Sequence, residues 1–413
     1  MLGVVIGMLT ARYLGPSNYG LMNYAASVVT FVIPITQLGL NAILVQEIVS
    51  NPDKEGEILG TSLVMSQISA LACVIGVFLF SIVANAGETE TIIVCCLYSV
   101  ILIFHGLEMT QYWFQAKLLS KYVSLTMLAS YVLVSAYKIY LLVTAKNIYW
   151  FAVSNAIDYA IIAFVLLLIY RQLGTQKLSF SLASAKQLFS KGKYYIISSM
   201  MVTIFAQTAR IMLKLMIDNE AVGYYSAAVA CAGMTGFVFS AILDSARPVI
   251  FESKKNSQQK FEKNVTRLYS VIIYFALAQS VFIALFSKLI VTTLYGSQYM
   301  DSVMVLRIIV WYTTFSYLGS VRNVWILAEG KHKILWVLNL SGALLNIALN
   351  LLFIPVWGIN GAALTALLTQ IFTNVILGFI IKPIKYNNKL MIKGLNPKHI
   401  LELISKETRG QRK

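Results

Sequence analysis

Long apolar blocks separated by short polar segments run along nearly the whole chain, and this pattern is typical of membrane helices rather than of a soluble core. A membrane-spanning helix needs about 20 mainly apolar residues. The sequence predicts an all-α integral membrane protein with about twelve transmembrane helices. The twelve predicted spans are 1–11, 21–49, 58–84, 91–115, 123–144, 148–170, 194–215, 222–243, 265–287, 303–327, 334–354 and 359–381.

The first predicted span is unusually short. From Met1 to Ala11 a helix rises only about 16 Å, roughly half of the hydrocarbon thickness of a bilayer. We therefore expect the natural reading frame to begin about 10 to 20 residues before Met1. At the other end of the chain, Pro355 and Gly358 predict a turn that separates the last two spans.

Composition agrees with a membrane location. Of 413 residues, 58% are hydrophobic and 12% are charged, whereas an ordinary soluble domain has about 25% charged residues. Twelve spans with short connections leave no room for a large soluble domain.

The charged residues between the spans predict the topology. Counted over alternate loops and the C-terminal tail, one side of the membrane receives 25 Lys and Arg residues, while Arg12, Lys146 and Lys288 lie on the other side. The positive-inside rule then places both termini in the cytoplasm. This bias also accounts for most of the net charge of +16, so no nucleic-acid partner is expected.

Loop lengths predict the domain organisation. The longest central cytoplasmic connection, 171–193, suggests two six-helix bundles at 1–180 and 181–383, followed by a basic cytoplasmic tail at 384–413. The predicted external loops are all short. An enzyme that polymerises an external polysaccharide would usually need a larger external region, so the sequence favours a transporter over a membrane glycosyltransferase or polymerase.

A stripe of polar residues follows one face of the second predicted helix, at helical spacings of three and four. Its members are Asn23, Ser27, Thr30, Pro34, Gln37 and Asn41. Pro34 is expected to kink the helix and to free backbone carbonyl groups. The stripe predicts a water-filled cavity; packing between helices through small polar residues is the alternative.

Cationic residues lie inside several predicted spans, where a charge is costly unless it faces a cavity or a partner. The predicted substrate-binding residues are Lys138, Arg210, Lys214, Arg307, Arg322, Gln37, Asn41, Gln207 and Trp311. Lys138, Arg210 and Arg322 lie deepest, whereas Lys214 and Arg307 are near the outer ends, where snorkelling is the alternative. A cationic, aromatic-lined cavity would suit an anionic substrate that carries sugars.

Asp158 is the acidic residue nearest the middle of a predicted span, and it is our candidate for ion coupling. An ion pair with Lys138 or Arg210 is an equally good explanation of its position. His105 and Glu108 have metal-ligand spacing, but without a second such pair we predict no metal site. No Walker motif or Ser/His/Asp arrangement is present, so we expect no cofactor, and transport driven by a proton or sodium gradient.

Short motifs along the whole chain resemble those of the polysaccharide-biosynthesis flippases, the translocases of O-antigen and capsule repeat units. The matching segments are Ala11-Arg12-Tyr13-Leu14-Gly15-Pro16, Tyr19-Gly20, Gly39-Leu40-Asn41, Gln46-Glu47, Val222-Gly223-Tyr224-Tyr225-Ser226-Ala227-Ala228, Leu294-Tyr295-Gly296, Tyr299, Gly330-Lys331, Asn346, Asn350, Pro355, Gly358-Ile359 and Gly361-Ala362-Ala363.

The resemblance implies the fold of the multidrug/oligosaccharidyl-lipid/polysaccharide exporter superfamily, in which two six-helix bundles form a V around a central cavity. It implies a flippase that moves an undecaprenyl-pyrophosphate-linked oligosaccharide from the inner to the outer leaflet of the bacterial cytoplasmic membrane, with a polysaccharide polymerase and chain-length proteins as partners. Many members carry an acid just before the Met-Leu pair of the seventh helix, where this chain has Arg210. A peptidoglycan-precursor flippase and a multidrug/ion antiporter of the same fold are the alternatives.

Overall fold

The computed structural model describes residues 2–398, and within that range the chain is helical without any β-strand. The prediction of an all-helical membrane protein is confirmed. The α-helices are α1 Leu2–Thr36, α2 Leu44–Ser50, α3 Glu55–Ala84, α4 Thr89–Ser99, α5 Ile101–Leu107, α6 Thr110–Ala116, α7 Ser120–Val143, α8 Ile148–Leu173, α9 Leu182–Met216, α10 Asn219–Gly233, α11 Gly236–Asn256, α12 Gln258–Leu294, α13 Ser302–Ala328, α14 Ile334–Ile371, α15 Leu377–Ile380 and α16 Lys385–Gly394.

Nine helical segments of residues 2–398 are long and apolar enough to cross a membrane, and the bent pair α10 and α11 makes ten. Two of these segments contain a break where the backbone leaves the helical conformation, at Gly15 and at Gly358. The segment that contains Gly358 has 47 residues and would be about 70 Å long as a straight helix, far more than one crossing requires. Divided at the two glycines, the ten membrane-length segments of residues 2–398 become twelve, the number of spans predicted.

The predicted loop at 12–20 is wrong, because helix continues on both sides of Gly15. At φ 73° and ψ 170°, Gly15 has a backbone conformation that residues with a Cβ rarely adopt. Pro16 follows directly, and its fixed φ suits the first position of a new helix. A single Gly-Pro step therefore makes the turn for which the sequence suggested a nine-residue loop.

The second predicted span, 21–49, is also interrupted. Helix α1 ends at Thr36, and the chain passes through a turn at residues 37–39 and a 3₁₀ turn at Leu40–Ala42 before α2. Leu38 and Gly39 both have positive φ values, 51° and 67°. The polar stripe therefore does not continue along one helical face as far as Gln37 and Asn41.

The described residues divide into two compact units, Met1–Gly223 and Tyr224–Lys413. Helix α9 groups with unit 1, although the sequence assigned it to the second six-helix bundle. The predicted boundary at 180/181 divides the chain into two repeats of six helices, whereas the two units are defined by how compactly their residues pack. The predicted boundary therefore stays a prediction.

In unit 1 the segment before α9 runs along the first turns of α3. The backbone N–H of Gly56 donates to Gln176 Oε1 at 3.0 Å, and the N–H of Ser181 donates to Thr61 Oγ1 at 3.1 Å. Gly39 and Gly192 also meet, because a Cβ on Gly39 would lie 2.3 Å from the carbonyl oxygen of Gly192. These contacts fix the start of α9 against α1 and α3.

Unit 2 has its own core, built mainly from α11, α12 and α13 around Phe239, Tyr269 and Trp325. Helix α14 continues into a π-helical turn at Phe372–Ile376. The predicted tail begins with α16, which is docked rather than extended. Tyr269 and Asn387 are hydrogen bonded, and Ser270 Oγ donates to the carbonyl of Gly394 at 2.8 Å. Residues 399–413 of the predicted tail lie outside the described range.

Candidate functional site

A cavity of about 230 Å³ lies within unit 1, among α1, α4, α7 and α8. Helices α1, α7 and α8 each present several residues to it, and α4 presents Tyr98. The polar groups at its wall are Thr10, Tyr19, Asn23, Tyr98, Tyr131, Ser135, Lys138, Asn155 and Asp158. Tyr131, Ser135 and Lys138 follow a spacing of four and three on α7, and such a spacing places side chains on one side of a helix. The helical spacing of these residues in the sequence therefore brings their side chains together at the cavity wall.

Lys138 and Asp158 are the charged residues at the cavity wall, and each has a neutral hydrogen-bond partner. Lys138 Nζ donates to Asn155 Oδ1 at 2.8 Å, and Ser130 Oγ donates to Asp158 Oδ1 at 2.6 Å. In the described residues no direct ion pair joins Lys138 to Asp158. The cavity therefore holds one cation and one anion, both within reach of an entering polar ligand.

The first part of α1 completes the cavity. Thr10 is buried, and its Oγ1 has no hydrogen-bond partner among the described residues. Gly7 faces open space, since a Cβ at this position would meet no atom within 4 Å. A free hydroxyl and an unfilled volume are the features of a surface that receives a ligand rather than of a packed core.

Two predicted site residues on α9 bind each other. Arg210 Nη1 donates to Gln207 Oε1 at 3.0 Å. The residues are three apart, so they lie on the same face of the helix. The structure therefore confirms the shared face but pairs the two side chains with one another.

Lys214 forms an ion pair. Its buried ammonium group lies 2.8 and 2.6 Å from the two carboxylate oxygens of Glu88, which precedes α4. Thr91 donates a further hydrogen bond to Glu88. Hydrogen bonds from Lys214 and Thr91 lower the pKa of Glu88 from its ordinary value of 4.5. Lys214 is therefore neutralised locally rather than left free for a substrate.

Three predicted site residues belong to α13 in unit 2. Arg307 is exposed, and its Nε donates to Ser287 Oγ at 2.9 Å. Trp311 is half-buried. Arg322 is only 5% exposed, and its Nη1 donates to the carbonyl of Thr373 in the π-helical turn at 2.5 Å. The predicted cationic face of α13 therefore ends in the packed interior of unit 2.

Sequence reasoning missed several groups of the cavity in unit 1. Thr10, Gly7 and Gly3 lie at spacings of three and four on α1, but the short first span hid this face. Ser130, the partner of Asp158, is one of many small polar residues in the apolar blocks. Ser130 lies seven residues before Tyr137 and eight before Lys138. This spacing could not identify Ser130 as the partner of Asp158, because the sequence does not show which helix lies opposite.

A comparison with protein families shows which family the chain belongs to. A family model described as "Polysaccharide biosynthesis protein" matches residues 1–254. The chain belongs to this family. The matched part of the chain contains all of unit 1 and thus the whole cavity. The resemblance seen in the sequence motifs is confirmed. A comparison with curated protein sequences gives no significant match.

Solved structures show the fold of this polysaccharide biosynthesis protein. The "Lipid II flippase MurJ, inward closed conformation" has a TM-score of 0.76 at 16% identity, over 98% of this chain and 90% of that chain. An inward-facing multidrug resistance MATE family transporter of the MOP superfamily has a TM-score of 0.75 at 13% identity, over 96% of each chain. The Vibrio cholerae MATE transporter VcmN has a TM-score of 0.59 at 12% identity, over 94% of this chain and 99% of that chain. These likenesses show that the chain shares the helical fold of the three solved structures.

Proposed function

We propose that this chain is a flippase that moves an undecaprenyl-pyrophosphate-linked oligosaccharide from the inner to the outer leaflet of the bacterial cytoplasmic membrane. The product would supply surface polysaccharide synthesis, of O-antigen or capsule. The observation that carries the proposal is the match to the polysaccharide biosynthesis family over residues 1–254 of a chain made almost entirely of membrane helices. Both termini would lie in the cytoplasm, as the loop charges indicate.

The physical task explains why such a protein needs a polar cavity. A pyrophosphate and several sugar hydroxyls cannot enter hydrocarbon without losing their hydrogen bonds to water, whereas a polyprenyl tail can remain in lipid. The cavity in unit 1 offers hydroxyl, amide and ammonium groups at membrane depth. At about 230 Å³ it is smaller than the roughly 300–1,000 Å³ of common ligand pockets, so it would hold one part of an oligosaccharide head group.

Within the cavity, Lys138 would attract the anionic head group, and Asn23 and Asn155 would bind sugar hydroxyls. A phosphate that approaches Lys138 would compete with Asn155 for the ammonium protons. Of the other predicted residues, Arg210, Arg307, Gln207 and Trp311 would meet substrate during its passage, whereas Lys214 and Arg322 would act through their own internal contacts.

Energy would come from a proton or sodium gradient, with Asp158 as the coupling residue. Its carboxylate lies at the cavity wall beside Ser130 and in the same cavity as Lys138. A substrate phosphate near Lys138 would withdraw compensating positive charge from Asp158 and so favour binding of a proton or sodium ion there. Because each would favour the binding of the other, substrate and ion would occupy the protein together.

The solved structures favour one second candidate. Since one of them is titled a lipid II flippase, this chain is also a candidate for a peptidoglycan-precursor flippase. Lys138 would repel a cationic drug and Asp158 would attract one, so the charges of this cavity do not favour a multidrug antiporter. A polymerase and chain-length proteins would act on the flipped product as separate partners.

Genetic complementation tests the proposal. The chain would be expressed in two bacterial strains, one lacking its O-antigen or capsule flippase and one depleted of its lipid II flippase, with membrane abundance measured in both. We expect surface polysaccharide to return in the first strain and growth to fail in the second. Rescue of growth alone would instead show a peptidoglycan-precursor flippase. Lowered accumulation of the cationic dye ethidium, with neither rescue, would show a multidrug transporter.

A further inference from the structure

A row of lysines follows the last membrane span. Residues 381–398 contain five lysines and no acidic residue. Lys385, Lys389 and Lys393 are four apart on α16, so they lie along one side of this helix, and Lys382 lies in the 3₁₀ turn before it. All four are exposed, and we call them the lysine row. The substrate cavity lies in unit 1 and does not use this row.

The opposite side of α16 is held in place by hydrogen bonds and buried side chains. Asn388 Nδ2 donates to the carbonyl of Val375 in the π-helical turn at 2.8 Å. Tyr274 of α12 donates its hydroxyl to the carbonyl of Leu395 at 2.6 Å. Leu390, on the same side of α16, is only 1% exposed. The lysine row therefore extends from a docked helix and has a defined position.

Two observations place this position at the membrane surface. The candidate span Ile334–Ile380 ends just before the lysine row. On α12, residues 268–287 carry no charge, and an apolar stretch of this length is enough to cross a bilayer. Ser270 and Tyr274, which bind the end of α16, lie at the start of that stretch. The end of α16 therefore lies where the membrane begins.

Most of the positive charge of the lysine row is not neutralised by the protein. In the described part of the chain, no acidic side chain forms an ion pair with Lys382, Lys385 or Lys389. Lys393 differs, because it interacts electrostatically with Glu262 on α12. Three neighbouring ammonium groups thus present positive charge that a negatively charged partner would complement.

Two exposed apolar side chains accompany the lysine row. Ile392 and Leu395 are 48% and 55% exposed, and they lie on either side of Lys393 in the sequence. At a membrane surface, apolar side chains enter the lipid while ammonium groups stay at the level of the head groups. A free phosphate or nucleotide would leave Ile392 and Leu395 in water, so these residues favour a lipid as the partner.

We propose that the lysine row binds the phosphate groups of anionic phospholipid at the membrane surface. Lysines close to a membrane helix attract negatively charged lipid, and the attraction falls off within a Debye length. Lys382, Lys385 and Lys389 supply the charge, and Ile392 and Leu395 contact the acyl region. The inference requires a chain that spans the membrane. It does not require the proposed flippase activity.

Native mass spectrometry of the purified full chain tests the partner. The protein is titrated with phosphatidylglycerol or with phosphatidylcholine of the same acyl chains, and the affinity for the first bound lipid is measured. We expect the parent to bind phosphatidylglycerol more tightly. Joint substitution of Lys382, Lys385 and Lys389 by glutamine is expected to lower its affinity for phosphatidylglycerol at least about fivefold. The affinity for phosphatidylcholine should not change.

Two control variants separate the lysine row from other effects. Arginine at the same three positions keeps the charge and should keep most of the affinity for phosphatidylglycerol. A second triple glutamine variant removes equal charge from exposed positions elsewhere and should bind like the parent; its positions are Lys177, Lys186 and Lys255.

Equal affinity of the parent for the two lipids would overturn the proposal, and so would equal loss of affinity in the two triple glutamine variants. Displacement of phosphatidylglycerol by inorganic phosphate would assign the lysine row to a free anion and would also overturn it. Because no oligosaccharide is used, these outcomes are independent of whether the chain is a flippase.

Discussion

Lys138 donates its 2.8 Å hydrogen bond to Asn155 and does not form an ion pair with Asp158, although both charges line the same cavity. An amide is a weaker partner for an ammonium group than a carboxylate is. The arrangement therefore leaves Lys138 hydrogen bonded to a neutral side chain at the cavity wall. Asp158 Oδ1 likewise accepts a hydrogen bond from a neutral group, Ser130 Oγ.

Lys138→Ala is expected to slow translocation of a lipid-linked oligosaccharide about tenfold or more. A hydrogen bond to a charged group contributes about 1.5–3 kcal/mol, and 1.4 kcal/mol corresponds to a factor of ten. Surface polysaccharide per unit of membrane-inserted protein gives the measurement. Lys146→Ala, in the turn between α7 and α8, is the matched control. Equal export by the two variants would show that Lys138 does not contact the substrate.

Arg322→Ala is expected to destabilise the protein rather than to affect transport alone. The substitution leaves the carbonyl of Thr373 without its buried donor and removes a large side chain from a buried position on α13. Loss of such a partner costs about 1–3 kcal/mol. The unfolding temperature of purified protein is the measurement, and Arg307→Ala, at an exposed position on the same helix, is the control. Normal stability of Arg322→Ala, combined with loss of transport, would instead support a substrate contact.

Gly192→Ala is expected to destabilise unit 1. A Cβ there would lie 2.5 Å from the carbonyl oxygen of Leu38, so the backbones of α9 and the turn after α1 must separate. Such overpacking costs about 1–3 kcal/mol. Gly76→Ala, where a Cβ meets nothing within 4 Å, should leave the unfolding temperature unchanged or raise it. Equal unfolding temperatures of the two variants would show that α9 and the turn after α1 can separate without loss of stability.

The Glu88–Lys214 ion pair should make stability depend on pH in the acidic range. Because the folded-state pKa of Glu88 is lowered from 4.5, the pair stabilises the protein above that value. The stabilisation is lost as the pH falls through the lower folded-state pKa. Glu88 is 47% exposed, so we expect less than about 1 kcal/mol. Unfolding temperatures of the parent and Glu88→Gln should differ at pH 7 and converge as the pH falls through the lowered folded-state pKa of Glu88. A constant difference would contradict this assignment.

The number of membrane-spanning segments could be predicted from the sequence, because it follows from the length of the apolar blocks. The ion pair of Lys138 with Asp158, which the sequence left open, is replaced by hydrogen bonds to Asn155 and Ser130. The end of α1 at Thr36 could not be predicted. The turn after it depends on positive φ at Leu38 and Gly39 and on the close approach of Gly192, a residue remote in sequence. A prediction from periodicity alone continues the helix, because it does not include the contacts with distant residues that end the helix.

The position of Arg322 illustrates a second limit. Its spacing with Trp311 and Trp325 correctly shows a shared face of α13, but a helical face carries no information about what covers it. Here the π-helical turn at Phe372–Ile376 supplies the carbonyl group that Arg322 binds. A π-helical turn has no reliable sequence signal, so burial of this cation required the structure.

The most direct test of the central claim is flipping of a fluorescent undecaprenyl-pyrophosphate-linked oligosaccharide in proteoliposomes, followed by its protection from an impermeant oxidant. We compare the parent, Gly7→Leu, which fills the open side of the cavity, and Gly76→Leu, which adds the same side chain at an open position outside it. The account predicts rapid flipping by the parent and Gly76→Leu, and flipping slowed at least about tenfold by Gly7→Leu. A parent no faster than protein-free vesicles, or an equally fast Gly7→Leu variant, would contradict it.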